Sequence, residues 1–121
     1  MIEGPELNPW KIVAGEWYSD RWTTTYLRLN FSNAYCGREL EASFWNPEAE
    51  IFDGNTLIIA CEGSALLRKS LRRSESLVAT IPLPRVNKDE IDVLISTTSQ
   101  QRASDGDIRR LGIVMSGLRI V

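Results

Sequence analysis

Tyr26-Leu27-Arg28-Leu29-Asn30-Phe31 sets the apolar Leu27, Leu29 and Phe31 in alternation with Arg28 and Asn30. Successive side chains of a strand point to opposite faces, so this is the pattern of a half-buried β-strand. Leu40, Ala42 and Phe44 repeat it against Glu39, Glu41 and Ser43. Ile51-Phe52 and Thr56 to Cys61 flank Asp53-Gly54-Asn55, a hairpin signal because glycine reaches the positive φ that tight turns need. Further strands are expected over Leu77 to Leu83, Ile91 to Ser96, and Gly112 to Met115 running on to Val121, with a bend or bulge at Ser116-Gly117. Ser64 to Arg73 reads in two ways: as a short helix with Leu66, Leu67 and Leu71 on one face, or as an edge strand. Eight or nine short strands with frequent turn signals predict an all-β, antiparallel two-sheet β-sandwich or jelly roll.

The chain has 121 residues, which suits one domain over 1–121, with 1–9 as an irregular lead-in containing Pro5 and Pro9. A domain of this size buries roughly two-thirds of its unfolded surface and needs neither metal nor disulfide to fold. Fourteen basic residues face sixteen acidic ones, a net charge of -2, which argues against a nucleic-acid partner. No apolar run approaches the roughly 18 residues of a membrane span, and the N-terminus lacks a basic start followed by an apolar stretch. A soluble, cytoplasmic domain is the expectation. Cys36 and Cys61 are too few for a disulfide framework or a thiolate zinc site, and read as reduced, packed thiols. Asn30-Phe31-Ser32 matches a glycosylation sequon but falls within an expected strand.

Histidine is absent, which removes Ser-His-Asp and Cys-His machinery, imidazole metal sites and the commonest general base near neutral pH. The only lysines, Lys11, Lys69 and Lys88, lie in no reactive motif. The inventory therefore predicts a protein that is not an enzyme, with no cofactor and no metal. A hydrolase working through Glu16 and Asp20 with Glu41 is the remaining catalytic reading. It would need two carboxyl groups about 5 to 10 Å apart across a cleft, in a chain with little material to build one.

The residues best suited to recognition lie in Gly15-Glu16-Trp17-Tyr18-Ser19-Asp20-Arg21-Trp22. Aromatic faces stack on the C–H faces of sugars while carboxylates and guanidinium groups bond the hydroxyls, so Trp17, Asp20, Arg21 and Trp22 are candidates for carbohydrate binding. The competing reading has a tryptophan closing one end of the fold and Arg21 paired with a carboxylate. Trp45 follows the inward Phe44 and so faces out, where an exposed tryptophan requires a reason. Trp10 pins the lead-in to the body. Asp105-Gly106-Asp107 resembles part of a calcium loop without its remaining ligand spacing. The more economical reading has Asp107 and Arg109 bonding each other to lock the loop before the last strand, with Arg109 as a sixth candidate site residue. Arg68, Lys69, Arg72 and Arg73 read either as contacts for an anion or as charges that keep a sheet edge solvated.

Gly15-x-Trp17, then Arg21-Trp22, Tyr26-Leu27-Arg28-Leu29, Ile81-Pro82-Leu83-Pro84 and Asp107-Ile108-Arg109-Arg110-Leu111-Gly112-Ile113 follow one another in an order that spans nearly the whole chain. This order resembles the small β-sandwich accessory domains appended to bacterial glycosyltransferases and other enzymes of surface-polysaccharide biosynthesis. The resemblance implies a carbohydrate-binding-like module in glycan assembly, with a glycan or a glycan-synthesising enzyme as partner and catalysis residing elsewhere. These 121 residues are expected to hold no catalytic domain of their own, as an excised domain or as a free-standing relative. Function taken from fold likeness is analogy. The alternative is an interaction domain that docks onto an enzyme, or onto its own copy as a homo-oligomer, through a sheet face.

Overall fold

The computed structural model describes residues 9–47, 55–101 and 106–121. Within them lie eight strands: β1 (Trp10–Trp17), β2 (Trp22–Ser32), β3 (Glu39–Asn46), β4 (Asn55–Cys61), β5 (Ser64–Leu71), β6 (Glu75–Pro82), β7 (Glu90–Thr97) and β8 (Leu111–Ile120). A single 3-10 turn, Asn33–Tyr35, follows β2. The two-residue period is realised as expected: Leu27, Leu29 and Phe31 are buried, as are Leu40, Ala42 and Phe44, Leu57, Ile59 and Cys61, and Ile91, Val93 and Ile95. Each such side chain, fully buried, contributes roughly 1.5–3 kcal/mol through area removed from water. Together they form one core, which Ile113, Met115 and Leu118 of β8 complete.

Every strand pair is antiparallel. The sheet runs β5-β4-β7-β2-β8-β3-β6, with β1 also on β2. The long β2 joins the two halves: Trp22 and Thr24 pair with β8, while Tyr26 to Ser32 pair with β7. The result is a continuous antiparallel sheet curled nearly into a barrel, where stacked separate sheets were anticipated. The sheet's end strands β5 and β6 meet at the turn between them, where the Glu75 N–H donates to the Arg72 carbonyl (3.1 Å).

A buried knot of carboxamides holds this end together. Asn46, Asn55 and Gln101 are 1%, 1% and 6% exposed. The Gln101 side-chain amide donates to Asn46 Oδ1 (2.9 Å) and the Gly112 carbonyl (2.8 Å). Asn55 Nδ2 donates to the same Gly112 carbonyl (2.8 Å), and Asn46 Nδ2 donates to the Arg72 carbonyl (2.9 Å). Buried polar groups must find partners. All of these except Gln101 Oε1, which has no hydrogen-bond partner among the described residues, find theirs in β3, β4, β8 and the β5–β6 turn, and so tie those strands together.

Several segments differ from the sequence reading. β1 was not anticipated beyond its pinning tryptophan, and the reason is physical. Register shifts after Ile12 and after Gly15 break the alternation. Gly15 has φ +79°, and a Cβ there would overlap the Tyr26 carbonyl oxygen. Of the two readings of Ser64 to Arg73, the strand is the one formed. Its hairpin with β4 turns on Glu62-Gly63, both at positive φ (51° and 83°), as a two-residue turn requires. The Asp53-Gly54 signal, the Ile51-Phe52 run, Asp105 and residues 1–8 of the lead-in lie outside the described residues. The bulge expected near Ser116 is present: Phe44 pairs with Met115 and Ser43 with Gly117, leaving Ser116 extra. Cys36 and Cys61 are free thiols, and burial pushes that of Cys61 up to about 11. No helix among the described residues is long and apolar enough to cross a membrane.

Candidate functional site

Five of the six residues singled out from the sequence converge on one corner, where the β1–β2 turn meets the segment leading into β8. Arg21 sits at φ +77°, closing a tight turn in which its N–H donates to the Tyr18 carbonyl (2.9 Å) and Tyr18 N–H to the Trp22 carbonyl (2.8 Å). The Trp22 N–H reaches Asp20 Oδ1 at 3.4 Å. The Arg21 carbonyl accepts from Met115 N–H (2.9 Å), which sews the turn to β8.

Arg109 is the centre of the corner. Its guanidinium is held by Asp107 (2.7 Å) and by Asp20 (2.8 Å), and stacks over the Tyr18 ring at 4.6 Å. The Asp107 carboxylate also accepts the Arg109 backbone N–H at 3.0 Å, so the expected lock of the loop is formed. The two carboxylates raise the Arg109 pKa, and bonding to Arg109 holds Asp20 below its ordinary value. Burial and the nearby Glu16 raise Tyr18, whose hydroxyl donates to Glu16 (3.3 Å).

The tryptophans of this corner are bound into the framework. Trp22 is 7% exposed, packed with Leu111 and Val114 in a small second cluster that Tyr18 covers. Trp17 is half-buried, donates its indole N–H to the Met115 carbonyl (3.0 Å) and packs near Trp10, with ring centroids 6.3 Å apart. Arg21, a candidate for sugar binding that the competing reading pairs with a carboxylate, lies over the Trp17 ring at 5.3 Å, and the carboxylate pairing is made by Arg109.

Trp45 has a different fate. It pairs with Val114 on one side and Ser76 on the other, while Trp22 pairs with Val114 from β2. Directly paired residues share a face, so Trp22, Val114, Trp45 and Ser76 form one row across the outside of the sheet. In that row Trp45 is 44% exposed. The diagonal neighbour Val78, opposite Ser43, is 62% exposed. Polar groups border this patch: Ser43, Ser76, and the ion pair of Arg119 with Glu41 (2.7 Å).

The carboxylates considered for hydrolysis are each engaged: Glu16 by Tyr18, Asp20 by Arg109 and Glu41 by Arg119. Among the described residues no group of three or more acidic or cysteine side chains is arranged to hold a metal ion. Sequence reasoning missed Tyr18 as the surface under Arg109, although it lies in the quoted aromatic stretch. It also missed a cavity of about 410 Å³ beside Arg109, lined by Gln100, Gln101, Ile108 and Arg110 as well. Nothing in the local pattern distinguishes those glutamines from ordinary loop residues. No protein-family model, no curated protein and no solved structure matches this chain.

Proposed function

We propose that this chain is a non-catalytic accessory module of the sandwich or jelly-roll kind that binds carbohydrate on the outer face of β3, β6 and β8, in the service of bacterial surface-glycan assembly. The supporting observation is Trp45: a tryptophan left 44% exposed on the outer sheet face, with hydroxyls and a carboxylate–guanidinium pair at its border. An apolar ring for stacking, flanked by groups that bond hydroxyls, is the chemistry a sugar ring demands. The corner at Arg109 serves as framework beneath one end of the row.

Titration with bacterial surface oligosaccharides, followed by tryptophan fluorescence, tests the reading. Trp45→Ala should abolish the response, and Trp45→Phe should keep part of it. Silence of the parent protein at millimolar sugar, where even about 4 kcal/mol of binding registers, rejects it.

A second reading has its own observation. Val78, 62% exposed beside Trp45, extends the patch with a side chain that offers a sugar little and a protein surface much. On that reading the face docks onto an enzyme or a second copy. Concentration-dependent sedimentation that Val78→Ser abolishes, with no sugar response, would establish it in place of the first.

A further inference from the structure

The β4–β5 hairpin carries a feature that the Trp45 face does not explain. Among the described residues strand β5 pairs with β4 alone, and its other edge ends the sheet. From Ser64 to Ser70 every residue is exposed except the half-buried Leu67. Such an edge presents a row of backbone donors and acceptors ready for another strand.

The cations along it differ from those on the other described strands. Elsewhere the described strands pair their cations with carboxylates: Lys11 with Glu90, Arg28 with Asp92 and Arg119 with Glu41. Arg68 and Lys69 have no such carboxylate among the described residues. Lys69 is in register with Leu57, which lies in the core, whereas Arg68 is in register with the outward Ile58. The two cations therefore flank the edge on opposite faces of the sheet. Next to them Leu66 is 45% exposed and falls at the register shift, without a paired residue on β4.

We propose that the free edge of β5 is a strand-addition site for an acidic, extended peptide segment of another protein. The unpaired backbone supplies the ladder, as in other cases of strand addition to an open edge. Charge supplies the selection. A second copy offering the same edge would set Arg68 and Lys69 against their own kind, so the cations discourage self-pairing while admitting a strand of opposite sign. Because Arg68 and Lys69 point to opposite faces, two consecutive acidic residues on the incoming strand meet both. An apolar neighbour in that strand then covers Leu66.

The test uses the whole chain and a short, end-capped peptide in a Val/Thr background with a central Glu-Glu pair, alongside its Lys-Lys counterpart. The Glu-Glu peptide should bind at or below about 1 mM. Amides on alternate residues of β5 should exchange more slowly in its presence, because strand pairing protects every second N–H. In the double variant Arg68→Glu, Lys69→Glu the affinity for the Glu-Glu peptide should fall about tenfold and the preference should invert toward Lys-Lys. The neutral pair Arg68→Gln, Lys69→Gln should lie between. Arg85→Glu, the same charge change off the edge, should move the affinity by less than about twofold. Equal binding of the two peptides, no binding at 1 mM, or binding that leaves β5 amide exchange unchanged would each overturn the proposal.

Discussion

Trp22 and Trp45 stand one strand apart in the same row, with Val114 between them, yet they have opposite environments. Around Trp22 each polar and aromatic group is already used: Arg109 by two carboxylates and a tyrosine ring, Trp17 by a backbone carbonyl, the turn by β8. Around Trp45 the apolar ring is left to solvent. The same residue types thus build framework in one place and leave an open surface in the next. The difference is whether a neighbouring segment folds over them. Tyr18 and the segment before β8 cover the first, and no described segment covers the second.

Breaking the framework side should cost most. Trp22→Ala empties a packed cluster and should lower stability by about 3–5 kcal/mol in denaturant unfolding. A loss below about 1 kcal/mol would mean the corner is a rim and that the contrast with Trp45 is false. The carboxamide knot belongs to the same buried class. Asn55→Ala removes the Asn55 Oδ1 that accepts from the Ser99 N–H and the amide that donates to Gly112 and Asn46, and should cost about 2 kcal/mol by the same measurement.

Acid should then separate the corner from the rest of the surface. Bonding to Arg109 depresses the Asp20 pKa in the folded state. Its contribution is therefore fully present above the ordinary aspartate value, near 4, and is lost as pH falls through the lower folded value. Melting temperatures of the parent and of Asp20→Asn should differ at pH 6 and converge toward pH 2.5. A gap that stays constant across that range would show that the carboxylate's charge is not what Arg109 uses. The smallest stability effect belongs to the open side. Trp45→Ala should change unfolding by less than about 1 kcal/mol while removing the fluorescence response to ligand. A large destabilisation there would make Trp45 framework too.

Much of this molecule was legible in advance. Leu27, Leu29, Phe31 and their counterparts announced their strands because a half-buried strand imposes its period directly on the chain. The Asp107–Arg109 lock was legible because its members are two residues apart in an extended segment. β1 was hidden because Gly15 and the register shifts erase the period. Arg109 and Asp20 are 89 positions apart, and no local spacing records that they touch. The same holds for Asn46, Asn55 and Gln101, whose residue types occur in any loop.

The sequence by itself determined an all-β antiparallel domain, its core, and an inventory without histidine, because alternation and composition are properties of the chain as written. The tertiary structure alone decided that the sheet curls back on itself through the shared β2. It also decided which tryptophan is covered and which strand cations have no carboxylate among the described residues. Those outcomes depend on which distant segments the curvature brings together, and the order of residues along one strand carries no record of its neighbours in space.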